Sequence, residues 1–429
     1  MIIMKEQARQ KTFFLISGLY FMINFYIGIL PGNIDNLIAD LSGATQSGIG
    51  LVIVFRLTFG TISLVAFGYF GEALATRFGK KKLFILTNLI SICFNGMIIL
   101  SQDYLYFLTI TIIASIANGA FLPIGFSIVS DLYTPKDRGK RFGMLQFSLV
   151  LGNGVGVALG GMLGWRVGFS ISFIIGILCL IYYFFSGNKP PNKNLLAKSE
   201  DSSSGREYNY KITLSNVLKL LKTKTIAGIL ISVFTYGIAI STLANWGVYY
   251  LTSKLGNETE AILIFTISGL GALGGTILGG KLGDIYYNSN MPKARVIISF
   301  GGLVLGIILL LIFYVEPVLL LSFFGFFFFS FANGNQFAIY SEVSAPELRG
   351  TVNALSGIMI NIGGITGNVI ISTLIQNNLL SLSITLVLVI WLIGSFSWII
   401  PYFYYLKDAE HRKLTTLRRR EDLMTIKSN

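Results

Sequence analysis

The sequence predicts an all-helical membrane protein with twelve transmembrane helices, arranged as two parallel six-helix repeats. Three observations predict this. First, the 429 residues are 53% hydrophobic and only 12% charged, with a mean hydropathy of +0.70. A soluble domain carries about 25% charged residues, so this chain lacks the charge to cover a soluble surface of its size. Second, apolar stretches of bilayer length, about 20 residues, recur from end to end. Third, a charged motif returns once, at a constant offset, in the second half of the chain. The net charge of +13 does not indicate a nucleic-acid partner, because the basic residues fall in loops between apolar stretches.

The spans follow in order at 13–34, 48–70, 83–101, 105–130, 142–164, 167–186, 225–252, 261–280, 296–315, 317–341, 351–375 and 379–405. Span one is longer than a signal-peptide core and lacks a small-residue cleavage site, so it is expected to stay. Span two carries Arg56. Spans eleven and twelve come from one charge-free tract between Arg349 and Lys407, divided by a polar turn at Gln376, Asn377 and Asn378. Barrel strands would be about half this length and would alternate polar with apolar residues; these do not.

Between spans six and seven the composition changes. Residues 187–210 are rich in Pro, Ser and charge and read as a linker. Residues 213–224 set Val217, Leu218, Leu220 and Leu221 among lysines, the pattern of a short amphipathic helix on a membrane surface. The expected organisation is therefore an N-terminal bundle over 1–186, a linker with an amphipathic helix over 187–224, a C-terminal bundle over 225–406 and a basic tail over 407–429. Alternate loops hold 30 of the 33 Lys and Arg residues, which puts both termini and the linker in the cytoplasm. The other loops lean acidic, with Asp35, Asp40, Asp103, Glu258, Glu260 and Glu316. The protein is expected in the plasma (cytoplasmic) membrane.

The repeat is explicit. Ser130-Asp131-Leu132-Tyr133-Thr134-Pro135-Lys136-Asp137-Arg138-Gly139 follows span four, and Ser341-Glu342-Val343-Ser344-Ala345-Pro346-Glu347-Leu348-Arg349-Gly350 follows span ten. Acid, Pro, Arg and Gly each recur 211 residues on, and Gly152 and Gly156 align with Gly363 and Gly367 at the same offset. Upstream, Ala117-Asn118-Gly119 has a counterpart in Ala332-Asn333-Gly334.

On these residues the chain resembles the major facilitator superfamily of transporters. That family's signature between spans two and three is Gly-x-x-x-Asp-Arg-x-Gly followed by basic residues. Gly280-Lys281-Leu282-Gly283-Asp284 matches it after span eight. The first-half copy runs from Gly71-Glu72 to Thr76-Arg77-Phe78-Gly79-Lys80-Lys81-Lys82, with Thr76 in the Asp place and one extra residue after Gly71. Gly164-Trp165-Arg166 after span five is also typical of the family. Gly164-Trp165-Arg166-x-x-Phe169 and Gly279-Gly280-x-x-x-Asp284 resemble the Spinster-like lipid transporters. That branch usually has Asn-x-x-Asp-Arg in span one; here Phe25, Tyr26, Ile27 and Gly28 follow Asn24. The resemblance implies the major facilitator fold, with spans one, four, seven and ten lining a central cavity.

Polar residues fall where that arrangement needs them. Expected substrate-binding residues are Arg56, Asn24, Asn118, Gln146, Tyr236, Asn245, Trp246, Asn333 and Gln336, with Tyr20, Ser115, Tyr249, Asn335, Asn153 and Asn361 nearby. Amides and aromatics suit hydrogen bonding and stacking on a small or amphiphilic solute; the alternative is ordinary hydrogen bonding between helices. Arg56 is the one charge embedded in a span, where burial costs at least ~2.5–3.5 kcal/mol. Two readings of it stand: an anchor for an anionic group, or a structural tie to Asp35, Asp40 or helix carbonyls. Expected gating residues are Glu72, Arg77, Asp131, Arg138, Asp284, Glu342 and Arg349, holding the inner ends of the two halves together. Glycine stripes at 152, 156, 160 and 164, and at 271, 275 and 279, are expected where the halves rock.

The function expected is secondary transport of a small or amphiphilic organic solute, anionic where Arg56 is its anchor, by rocker-switch alternating access. A lipid or lysolipid flippase, or a non-transporting sensor on the same fold, stands as the alternative. No enzyme, cofactor or metal site is expected: the chain has one histidine, His411, and two cysteines, Cys93 and Cys179, both in apolar runs. Partners are the small-molecule or lipid substrate and membrane lipids, with proton or sodium coupling left open, no nucleic acid, and a monomeric state.

Overall fold

The computed structural model describes residues 2–133, 135–187, 220–344 and 348–425, and the side chains of all of these except 2–5, 72–73, 135–140, 349–350 and 415–425. The first stretch gives α1 (Ile2–Ile29), α2 (Ile34–Asp40), α3 (Gln46–Phe78), α4 (Lys80–Met97), α5 (Tyr104–Gly119), α6 (Phe121–Leu132), α7 (Pro135–Leu163) and α8 (Trp165–Ser186). The second gives α9 (Lys224–Leu255), α10 (Glu258–Asn288), α11 (Ala294–Val315), α12 (Leu319–Phe329), α13 (Phe331–Val343), α14 (Arg349–Ile375), α15 (Leu380–Ser395) and α16 (Ile399–Thr425).

Among the described residues, eleven helices are long and apolar enough to cross a membrane. The expected span at 317–341 is α12 followed by α13, abutting at Ser330, whose backbone stays near helical values (φ −70°, ψ −8°). Span four divides the same way at Ala120 (φ −72°, ψ −20°) into α5 and α6. Each half thus has its fourth span divided into two abutting helices. The linker and most of the amphipathic segment expected at 213–224 lie outside the described residues. The tail expected from 407 continues α16 as one helix to Thr425.

Local chemistry sets the helix ends. Thr45 caps α3 by accepting the Gly48 N–H at 3.0 Å, and Asp103 caps α5 by accepting the Tyr106 N–H at 2.8 Å. Gly79 separates α3 from α4, and Gly164 separates α7 from α8, both at φ +84°, a conformation that costs glycine nothing.

The chain forms two compact units. The first is Met1–Tyr208 with Asn245–Leu263; the second is Asn209–Ala244 with Ile264–Asn429. The core of the first packs Phe13, Ile16 and Tyr20 of α1 with Phe84 of α4, Phe121 and Ile128 of α6 and Tyr183 of α8.

All of the stripe glycines except Gly164 lie against another helix of their own unit. A methyl group on Gly152 or Gly156 of α7 would land on the Phe21 or Phe25 carbonyl oxygen of α1. On Gly271 or Gly275 of α10 it would land on the Phe323 or Phe327 carbonyl oxygen of α12. Gly363 and Gly367 of α14 meet the Phe234 and Ile238 carbonyls of α9 in the same way. Without side chains in the way, two helix backbones close to van der Waals contact, which compensates for the absent hydrophobic drive between helices in lipid.

Candidate functional site

Arg56 of α3 is 8% exposed. One guanidinium nitrogen donates to Asn245 Oδ1 of α9 at 2.8 Å, and another to the Ile27 carbonyl of α1 at 3.4 Å. Tyr26 lies close enough to interact with it electrostatically. Among the described residues no carboxylate lies within ion-pair distance of Arg56. Asp40 is engaged elsewhere: it accepts the Trp165 indole N–H at 2.9 Å and pairs with Arg166, whose guanidinium stacks 3.9 Å above the Trp165 ring. Burial pushes the Asp35 carboxyl above the usual range. Of the ties the sequence suggested, a backbone carbonyl is present and Asp40 is taken. A guanidinium has five N–H donors, so this one keeps donating capacity after both bonds.

Asn245 and Trp246 therefore group with Arg56 in the first unit, apart from Tyr236 on the same helix. Trp246 is wholly buried and meets the Tyr249 ring at 5.9 Å; Tyr249 accepts a hydrogen bond from Gln46. The other first-unit amides are partly spent. Asn24 donates to the Tyr20 carbonyl of its own helix at 2.8 Å, and Asn118 accepts from the Ser91 hydroxyl. Ser115 is likewise turned to its own helix, on the Thr111 carbonyl at 2.6 Å. Gln146 is exposed on α7 and Asn153 is half-buried.

In the second unit the Tyr236 side chain hydrogen-bonds with Asn333, and its ring packs against Phe329 and Trp391 at 6.0 and 5.6 Å. Gln336 donates to the Tyr340 hydroxyl at 3.4 Å, and the Ser356 and Tyr340 hydroxyls lie 2.7 Å apart. Asn335 is a helix tie: its amide reaches the Gly279 carbonyl of α10 at 3.1 Å and Phe331 of its own helix at 3.0 Å. Asn361 is half-buried on α14.

The charged ends have partners the sequence reading did not name. Asp131 pairs with Lys80 at the start of α4, and Lys80 also donates to Ser127 at 2.8 Å. Arg295 at the start of α11 bridges two acids: it holds Asp284 at 2.7 Å and pairs with Glu342, which also accepts from the Tyr405 hydroxyl. Every one of these bonds lies inside one unit, so each ties helices of the same unit. The signal in the sequence was positional: Lys80 and Arg295 are the basic residues that begin the span after each signature. Arg77 is exposed, with its guanidinium 5.5 Å from the Phe78 ring centre. The side chains of Glu72, Arg138 and Arg349 lie outside the described ones. A further tie was also missed: Asp408 of α16 accepts the Thr225 backbone N–H at 2.9 Å and its hydroxyl at 2.7 Å, capping α9.

Comparison with known proteins fits this architecture. A family model described as Major Facilitator Superfamily matches residues 13–368. The hexuronate transporter of Bacillus subtilis (strain 168) is 24% identical over 288 residues, 61% of this chain and 64% of that protein. The cis,cis-muconate transport protein of Acinetobacter baylyi is 25% identical over 300 residues, 66% of this chain and 69% of that protein. The crystal structure of a bacterial homolog of the human lysosomal transporter Spinster, inward-facing and occupied, matches with a TM-score of 0.74 at 17% identity, over 94% of this chain and 98% of that one. The chain spans less than two thirds of the length of the first curated relatives it matches. It is a multi-pass membrane protein, and it belongs to the major facilitator superfamily.

Proposed function

We propose that the protein is a secondary transporter for a small organic anion, held at Arg56 and carried across by alternating access. One observation carries the anionic reading: Arg56 is buried, and it donates its hydrogen bonds to a neutral amide oxygen and a backbone carbonyl. A carboxylate from solution would offset the desolvation of that charge, and a neutral solute would not. Hexuronate and muconate, named in two relatives, are both carboxylates. The ion pairs support gating of a specific kind, in which each unit has its helix ends locked and moves as a body. The Gly164-Trp165-Arg166-x-x-Phe169 and Gly279-Gly280-x-x-x-Asp284 motifs, similar to those of Spinster-like lipid transporters, favour a second reading, an amphiphilic or lipid-like solute whose anionic group reaches the same arginine.

The test is thermal-shift and proteoliposome transport with a panel of carboxylates and their neutral amides. Carboxylates stabilise the parent and their amides do not. Arg56→Ala lowers transport by roughly tenfold to a hundredfold, in keeping with one charge-assisted hydrogen bond, and leaves the folded fraction similar. Arg56→Lys, which keeps the charge but not the planar fork, falls between. Parent-rate transport by an Arg56→Ala protein of lowered melting temperature would make Arg56 a structural tie and end the anionic reading.

A further inference from the structure

Far along the chain from Arg56, three segments of the first unit converge on the Tyr133 ring. α1 brings Arg9 and Phe13, α7 brings Arg141, and Tyr133 itself follows α6. The Arg9 guanidinium carbon lies 4.8 Å from the Tyr133 ring centre, and that of Arg141 lies 4.5 Å from the same centre and 5.0 Å from the Phe13 ring. Phe13 and Tyr133, 0% and 3% exposed, meet edge to face at 5.7 Å and form a rigid floor.

Two guanidinium groups fixed on one ring repel each other, and little near them offsets the charge. Among the described residues, the contacts of Arg141 are those two rings and the Met144 thioether at 3.8 Å, none of them an oxygen acceptor. Arg9 reaches Glu6 at 3.5 Å, but that carboxylate is 54% exposed, and pairs of that kind contribute little. The Arg9 Nε is shielded from solvent with no acceptor. Two other cations of this unit do have acids: Lys80 pairs with Asp131 and Arg166 with Asp40. Cation–π contact holds each guanidinium in place but leaves its N–H edge free to donate.

We propose that Arg9 and Arg141 form a second anion site, separate from Arg56, that takes a phosphate group. Two planar forks on one floor match a tetrahedral oxyanion with several acceptor oxygens better than a single carboxylate. The loop charges assign this end of the unit to the cytoplasmic leaflet, where anionic lipid headgroups present that chemistry; free phosphate presents it too.

The probes are phosphatidylglycerol, phosphatidylcholine and inorganic phosphate, added to the purified full chain in detergent with its melting temperature as readout. Phosphatidylglycerol is expected to raise the parent's melting temperature by roughly 5 °C more than phosphatidylcholine does. A rise with inorganic phosphate as well assigns the site to phosphate from either source; no rise with it assigns the site to the lipid. The Arg9→Gln, Arg141→Gln pair is expected to lose the difference, and the Arg9→Lys, Arg141→Lys pair to keep part of it. Should the Gln pair not fold, the Lys pair decides, because it keeps the charge and loses the forks. The proposal fails if neither anion stabilises the parent, or if the folded variants respond as the parent does.

Discussion

Asp408 stabilises a helix to which it does not belong. A helix start leaves backbone N–H groups without partners, and a side-chain oxygen is the usual remedy. Here that oxygen comes from α16, 183 residues downstream of Thr225, the distance that hid it from any reading of local sequence. Asp408→Ala is expected to lower stability by about 1 kcal/mol, seen as a lower melting temperature in detergent, and Asp408→Asn by less because an amide oxygen still accepts. An Asp408→Ala protein that melts with the parent would show that the start of α9 is held by other contacts. The ion pairs carry the same lesson. The acids at 131 and 342 could be read from the repeat and Asp284 from the family signature, whereas which cation each of them pairs with could not. A loop cation has many acids within sequence reach, and the fold selects among them. Arg56 lies between these cases: its burial was legible from its place in an apolar span, but its bond to Asn245 crosses 189 residues and was not.

Span positions were legible because bilayer thickness imposes a length and an apolar composition that few other elements share. The division of span ten was not. Ser330 keeps near-helical backbone angles inside a Phe-rich run, so no Pro or Gly marks it. The glycine stripes were visible as small residues at helical spacing, but spacing alone does not say which helix is the neighbour. α7 allows a contrast within one helix. Gly156 lies against the Phe25 carbonyl, while Gly154 has open space where a methyl would go. Gly156→Ala is expected to cost about 1–3 kcal/mol as α1 and α7 are forced apart. Gly154→Ala is expected to change little. Gly275 and Gly269 of α10 form the matching pair, the first against the Phe327 carbonyl and the second open. Chemical denaturation of the four single variants decides the point. Equal losses at tight and open positions would mean that close backbone approach does not hold these helix pairs together.

For the whole molecule, the distribution of Lys and Arg makes a prediction about sidedness. In a background with Cys93 and Cys179 replaced, cysteines placed in 187–210 or after 407 are expected to react with an impermeant reagent applied from the cytoplasmic side, and one at Asn257 is not. Labelling of Asn257 from that side would overturn the assigned orientation. The two-fold repetition was the most legible feature of all, because acid, Pro, Arg and Gly recur in register, and the structure divides the span before each motif into two helices, at Ala120 and at Ser330. One further feature bears on how such a molecule is imaged. α16 runs unbroken from Ile399 to Thr425, so about 28 Å of helix continue past Lys407. A 47.2 kDa membrane protein gives electron micrographs little to align on. A soluble domain whose first helix is spliced in phase onto Thr425, without a flexible linker, would turn with α16. It would serve as a rigid pointer whose angle, read particle by particle, sorts the second unit's orientations without a bound antibody.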